Sequence, residues 1–198
     1  MKRIIFVLFI ILLALPSWSH GAQPLDLLKS SIDNVIGILG DPRYKDASLK
    51  DTQQKRIWDI IQQIFDFEEM AKRALARNWR SFTAQQKKDF SEVFGRFLGK
   101  NYLDKIQSGF EGEKIAYLGQ EMVDDKKAMI RTKIIRRSTE IPVYYSMLMQ
   151  NNSWKVYDVK VEGVSLMKNY RAQFGSILLK ESPDQLIDRL KRKTEEQG

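Results

Sequence analysis

Cysteine is absent from this chain, so no disulfide braces it and no thiolate can act as nucleophile or zinc ligand. Histidine is nearly absent: the single one, His20, falls where an export segment would be cut away. Without it no Ser-His or Cys-His pair can be built, and acid–base chemistry would run on carboxylates alone. None of the Asp or Glu residues stands in a telling paired motif, and no metal set is expected. Internal repeats, low-complexity tracts and interior linkers are missing too. That leaves one domain, large enough at 198 residues for a real core.

The one long apolar run covers residues 4–15, too short for a comfortable membrane span. It follows the basic start Met1-Lys2-Arg3 and precedes Pro16 and the small residues Ser17, Ser19, Gly21 and Ala22. This is the layout of a cleavable secretory signal. Residues 1–21 are expected to leave, with the cut within 19–22, and residues 22–198 to form a single domain. No Cys follows the run, which excludes lipoprotein attachment. Losing Lys2 and Arg3 takes the formal charge from +8 to +6. Such a balance in a cytosolic protein would raise nucleic acid as a partner. Export argues against that and points to anionic lipid surfaces or an acidic protein; a generally basic, solubilising surface is the plainer reading.

What is present is strongly periodic. Leu25, Leu28, Ile32, Val35, Ile36 and Leu39 form a helical stripe, closed by Gly40-Asp41-Pro42. A second helix starts near Ser48 and presents Ile57, Ile61 and Ile64. Asp66 caps a third, with Glu69 at the reciprocal position and Phe67, Met70, Ala71, Ala74 and Leu75 turned inward. Trp79 follows in a turn. Thr83 and Gln86 form a capping box for the longest helix, whose stripe is Phe90, Val93, Phe94, Phe97, Leu98, Tyr102 and Ile106. That stripe is either ordinary core or one wall of a wider apolar space.

From residue 113 the period changes to alternation. Residues 115–123, 126–137, 141–150 and 153–161 read as four antiparallel strands, with Asp124-Asp125 and Asn151-Asn152 as tight turns and 138–140 as a looser link. Ile130, Ile134, Val143, Tyr145, Met147 and Met149 supply a buried face, while Arg131, Lys133 and Arg137 point to solvent. The methionines offer an adaptable lining, equally common in a plain core. Ser182-Pro183-Asp184-Gln185 opens a last helix docked by Leu186, Ile187 and Leu190.

The most specific stretch is WKVYDVKVEGVSLMKNYRAQF, residues 154–174. A strand ends at Glu162-Gly163, where Gly allows a change of direction. Ser165 then caps a helix with Leu166, Tyr170 and Phe174 at four-residue intervals. This run closely resembles the signature of the MlaC family, periplasmic lipid shuttles also labelled toluene-tolerance ABC transporter auxiliary components. FDFEEMAKRAL with Trp79, and the helix bearing Gln86, Phe90, Phe94 and Tyr102, resemble two further family blocks in the same order. Ala76 departs from the pattern, since the family often has Gly there.

The resemblance implies an α+β fold: a four-stranded curved antiparallel sheet wrapped by helices that enclose an apolar lipid cavity. It implies a carrier that moves phospholipid across the periplasm between an outer-membrane lipoprotein complex and an inner-membrane ABC transporter, without cofactor. The lining it suggests is Phe67, Met70, Ala71, Leu75, Phe90, Phe94, Phe97, Leu98, Tyr102, Val143, Tyr145, Met147, Met149, Leu166, Tyr170 and Phe174. Tyr170 and Arg171 either hold phosphate at the mouth or serve structure, with Arg171 paired to Asp158 or Glu162. Two rivals stand beside the carrier: a non-lipid periplasmic interaction module or chaperone with a solid core, and a carboxylate-based enzyme on a cone-like α+β fold.

Overall fold

The computed structural model describes residues 23–196; the expected export segment, with His20, lies outside them. Six helices are described: α1 (Pro24–Leu39), α2 (Lys50–Ile64), α3 (Phe67–Leu75), α4 (Ala84–Gly109), α5 (Leu166–Ile177) and α6 (Pro183–Glu195). Between α4 and α5 runs an antiparallel sheet of five strands in sequential order: β1 (Lys114–Asp124), β2 (Lys127–Arg136), β3 (Thr139–Gln150), β4 (Ser153–Val161) and β5 (Val164–Ser165). The expectation of four strands is corrected by β5, whose two residues are too few to show alternation.

Local chemistry sets the boundaries. Thr83 with Gln86 and Ser182 with Gln185 close full capping boxes, and Asp66 Oδ1 accepts the Glu69 N–H at 2.9 Å. The second helix is preceded by two short 3₁₀ turns, so its α-helical part begins at Lys50 rather than near Ser48. Asn151 and Asn152 both take positive φ, 48° and 59°, as a tight hairpin turn requires. The first hairpin turns at Asp125-Lys126, one residue later than expected, because Asp124 still pairs with Lys127. The second turns at Arg137-Ser138, with Arg137 at φ 50°, and β3 starts at Thr139.

The β4–α5 corner is held by one carboxylate. Asp158 accepts from Ser165 Oγ at 2.6 Å and from the Met167 N–H at 3.1 Å, while Ser165 Oγ caps α5 through the Lys168 N–H. A bulge in β4 beside Ser146 and Met147 leaves Tyr157 out of register. Tyr157 stacks instead on the Arg73 guanidinium, 3.7 Å from its ring centroid, tying α3 to the sheet.

Burial falls into two clusters rather than one. The helical core joins α3, α4, α5 and α6 through Leu75, Phe90, Phe94, Met167, Phe174 and Leu186. The sheet core joins Leu28 of α1 and Ile64 of α2 to Ala128, Ile130, Met147, Trp154 and Val156. Phe65 packs against both clusters. It pairs with Val156 in an isolated parallel bridge and begins an aromatic ladder, Phe65–Phe67–Trp58, with centroids 6.1 and 5.4 Å apart. The ladder rests on α4 where side chains vanish: a Cβ on Gly99 would meet the Trp58 ring at 2.6 Å.

Candidate functional site

A closed domain of this size merges its buried side chains into one contiguous core. Here there are two clusters, and several apolar side chains on α1, α4 and the sheet are not buried in either. Helical spacing puts Ile32, Ile36 and Leu39 on one face of α1, and Leu103, Ile106 and Phe110 on one line at the end of α4. Of these only Leu103 is buried, and Ile106 is 43% exposed. The strand register sets Ile115 opposite Ile134, Ile134 opposite Ile141, and Val143 opposite Val161 on one sheet face. Val143 is buried, the isoleucines are half-buried, and Val161 is 43% exposed. Arg136 Nη2 donates to the Gly109 carbonyl at 3.2 Å, which fastens the end of α4 to the end of β2. Half-buried and exposed apolar side chains thus occur along α1, at the end of α4 and on the far half of the sheet.

Tyr145 lies in the middle of that sheet face, opposite Ile130 and Val159. Burial pushes its hydroxyl up to about 12, and the residue as a whole is half-buried. Burial also raises the Tyr170 hydroxyl, with the neighbouring Tyr102 adding to the effect through a hydrogen bond. Tyr117 is raised by burial and by Asp33, whose carboxylate accepts its O–H at 2.7 Å and so ties α1 to β1.

The residues expected to line a cavity divide between the two cores. Met70, Ala71, Leu75, Phe90, Phe94, Phe97, Leu98, Tyr170 and Phe174 are buried in the helical core, with Phe67 and Leu166 at its margin. Phe90, Phe94, Tyr170 and Phe174 contact one another ring to ring at 5.1–5.5 Å, so other aromatics occupy the space around them. Met147, Tyr145 and Met149 belong to the sheet core, and Val143 lies buried beyond it. Tyr102 is 38% exposed at the edge. Arg171 is exposed and donates to the Arg73 carbonyl at 3.1 Å, so the pairing with Asp158 or Glu162 is corrected. Asp158 is already committed to the α5 cap.

Leu39, Phe110, Ile115, Ile141 and Val161 were not in the expected lining. Ile106, by contrast, lies on the predicted stripe, four residues past Tyr102, and that continuation was the available signal. Among the described residues no three of His, Cys, Asp or Glu stand together as metal ligands, and no helix is long and apolar enough to cross a membrane.

Paired and unpaired cations occur on both the sheet and the helices. On the sheet, Arg131 meets Glu121 at 3.4 Å, Lys133 meets Glu140 at 2.7 Å, and Arg136 and Arg137 both meet Glu111 at 3.2 Å. On the helical side Arg77, Arg80, Lys88, Arg96 and Lys168 are exposed and have no carboxylate partner among the described residues.

Six helices and a five-stranded antiparallel sheet, with burial divided into two clusters, make this an α+β protein. A model of the MlaC protein family matches residues 29–192. This chain belongs to the MlaC family. It is 26% identical over 176 residues to the intermembrane phospholipid transport system binding protein MlaC of Haemophilus influenzae, covering 86% of this chain and 78% of that one. It is 23% identical over 180 residues to the toluene tolerance protein ttg2D of Pseudomonas putida, covering 89% and 83%. The structure of a phospholipid-binding protein from Ralstonia solanacearum, in complex with a phospholipid, shares the fold. Its TM-score is 0.75 at 22% identity, covering 89% of this chain and 99% of that one.

Proposed function

We propose that this protein is a periplasmic phospholipid carrier, exported by its N-terminal segment, that hides acyl chains in the seam between its two cores. The observation that carries this reading is the division of burial into two clusters, with Ile106 and Val161 left exposed outside both. Each methylene moved from water into such a seam is worth about 0.8 kcal/mol. An acyl chain therefore binds tightly with no catalytic group and little demand on the head. The family assignment and the names of the relatives support the same reading.

Within it, the protein receives lipid at one membrane and releases it at the other, between an outer-membrane lipoprotein complex and an inner-membrane ABC transporter, so maintaining outer-membrane lipid asymmetry. Residues 22–198 act as one domain in that role. Tyr145, Met147, Met149 and Val143 form the sheet wall; Tyr102 and Ile106 form the helical one. Phe90 and Phe94 serve as the scaffold behind it.

Native mass spectrometry of protein purified from the periplasm tests the proposal. Bound phospholipid, lost on delipidation and regained from vesicles, is the expected result. A protein that is lipid-free from every preparation and takes up none would instead be an interaction module with a solid core.

A further inference from the structure

α3 and α5 leave the sheet side by side. Phe65, just before α3, bridges Val156 of β4, and Asp158 of the same strand holds the start of α5. The two helices run in step, since Arg171 Nε donates to the Arg73 carbonyl at 3.1 Å. Each then ends in a turn, Ala76–Ser81 after α3 and residues 178–182 after α5. The helices that follow start together, with Gln86 Nε2 of α4 donating to Asp184 Oδ1 of α6 at 2.8 Å. Both turns therefore lie at one end of the bundle, away from the sheet.

Leu179 stands on the second turn with 81% of its surface exposed, the most of any large apolar side chain among the described residues. The turn that carries it is closed: the Lys180 and Glu181 N–H groups both donate to the Ile177 carbonyl at 2.9 Å. Ile177 and Leu178 pack against the helical core, and so does Trp79 on the first turn. Both turns are thus anchored, and the leucine projects from an ordered base.

The same end is cationic. Arg77, Arg80, Lys88 and Lys180 are exposed and meet no carboxylate among the described residues. Lys87 Nζ lies 5.6 Å from the centroid of the Trp79 ring. The acids here are engaged: Glu181 pairs with Arg189, while Asp184 and Asp89 accept from the amides of Gln86 and Gln85.

A lone apolar side chain set among long, flexible cations suits a fluid anionic surface. A bilayer moulds itself to the side chains and rewards apolar burial and attraction to phosphate together. A protein partner would instead ask for a contiguous patch packed around a central anchor. The other side chains of the second turn are polar or packed inward, so it offers no such patch.

We propose that this end of the bundle docks directly on an anionic bilayer, with Leu179 entering the interface and Arg77, Arg80 and Lys180 meeting lipid phosphates. The inference goes beyond the carrier reading and holds whatever the cargo.

The chain has no cysteine, so Leu179→Cys gives a unique site for an environment-sensitive fluorophore. Ser138→Cys, in the exposed turn between β2 and β3, is the control. At low salt, vesicles of phosphatidylcholine mixed with phosphatidylglycerol should brighten the label at 179 and shift it to the blue, and leave the label at 138 unchanged. Vesicles of phosphatidylcholine alone should bind at least about tenfold more weakly. Flotation of unlabelled protein gives the separate contributions. Arg77→Gln with Arg80→Gln should weaken binding about twentyfold, at about fivefold for each cation, and Leu179→Ser about tenfold. All three side chains are exposed, so the urea midpoints should not move. A response from the label at 138 alone would put the bilayer against the sheet and overturn the proposal. Equal binding to both kinds of vesicle, or binding indifferent to these substitutions, overturns it too. No binding to either vesicle also overturns it and leaves this end of the bundle to an acidic protein.

Discussion

The two halves of α4 carry the same kind of side chain on an i, i+4 line that winds around the helix, and they meet different surroundings. Phe90 and Phe94, in the first half, are fully buried against Phe174 and Tyr170. Tyr102 and Ile106, about three turns further on, keep 38% and 43% of their surface. The difference lies in what each half faces. The first half lies against α3 and α6, whose own apolar stripes fill the space; the second half lies beside α2, which meets it through Gln54 on Asp104 and Gln53 on Gln107. An apolar stripe states that water is to be excluded, and only the opposing element decides whether protein or ligand excludes it.

The largest effect should come from breaking the filled half. Phe94→Ala removes a ring surrounded by rings and should cost about 3–5 kcal/mol, read from urea denaturation, with the same loss in lipid-loaded and lipid-stripped protein. Ile106→Ala, on an exposed position, should cost less than about 1 kcal/mol in the stripped protein, yet lower the phospholipid retained through purification. The reverse outcome, lipid lost from Phe94→Ala at an unchanged denaturation midpoint, would place the ligand in the helical core and dissolve the contrast.

Tyr145 extends the comparison to the sheet wall. Its hydroxyl is pushed up to about 12 by burial, against about 10 in an unfolded chain. The folded state therefore holds its proton where the unfolded state gives it up. This contribution is complete below pH 10, falls as pH rises, and is gone above about 12. Denaturation midpoints measured from pH 9 upward should decline less steeply for Tyr145→Phe than for the parent. An identical decline would mean that the phenol reaches bulk solvent and that no gap lies over β3.

Much of this was legible in the sequence, and the part that was not has a physical reason. Caps and hairpins are local, which is why Thr83 with Gln86, Ser182 with Gln185 and Asn151-Asn152 all fell where their side chains dictate. The β5 strand was hidden because Val164-Ser165 doubles as a turn exit and a helix cap. The division of the lining residues was hidden for a different reason. Twelve residues apart, Phe94 and Ile106 point about 120° apart around α4, and the filling around Phe94 comes from α5, far along the chain. Asp158 is a similar case: nothing near it in sequence announced that it would staple Ser165 and leave Arg171 to the Arg73 carbonyl.

A smaller effect, of opposite sign, belongs wholly to the helical side. Ala76 leaves α3 with φ 48° and ψ −120°, a conformation that L side chains rarely take. Glycine takes it without that strain, and the MlaC family pattern often has Gly at this position. Ala76→Gly should stabilise the protein by about 1 kcal/mol after allowing for the greater freedom of glycine in the unfolded chain. Calorimetry should show a higher melting temperature and the lipid content should not change, because this exit leads into the turn bearing Trp79 and not into the seam.

The smallest expected stability effects concern charge, and here the two sides should separate by function instead. Arg131 and Lys133 were expected to point to solvent, and each meets a carboxylate there, Glu121 and Glu140. Arg77 and Arg80 on the helical side face none among the described residues. Reversing either pair to Glu should shift stability by no more than about 0.5 kcal/mol, since exposed charges contribute little to folding. Encounter rates respond to net local field, not to charges already neutralised across 3 Å or so. Reversal of Arg77 and Arg80 should therefore slow lipid transfer to membrane-bound partners at low salt, with the deficit closing as ionic strength rises. Reversal of Arg131 and Lys133 should slow it less, although it also leaves Glu121 and Glu140 unbalanced. If the sheet pair proves the more damaging at low salt, the partner docks on the sheet. Its carboxylates then have to displace Glu121 and Glu140, and the helical cations serve only to keep the protein soluble.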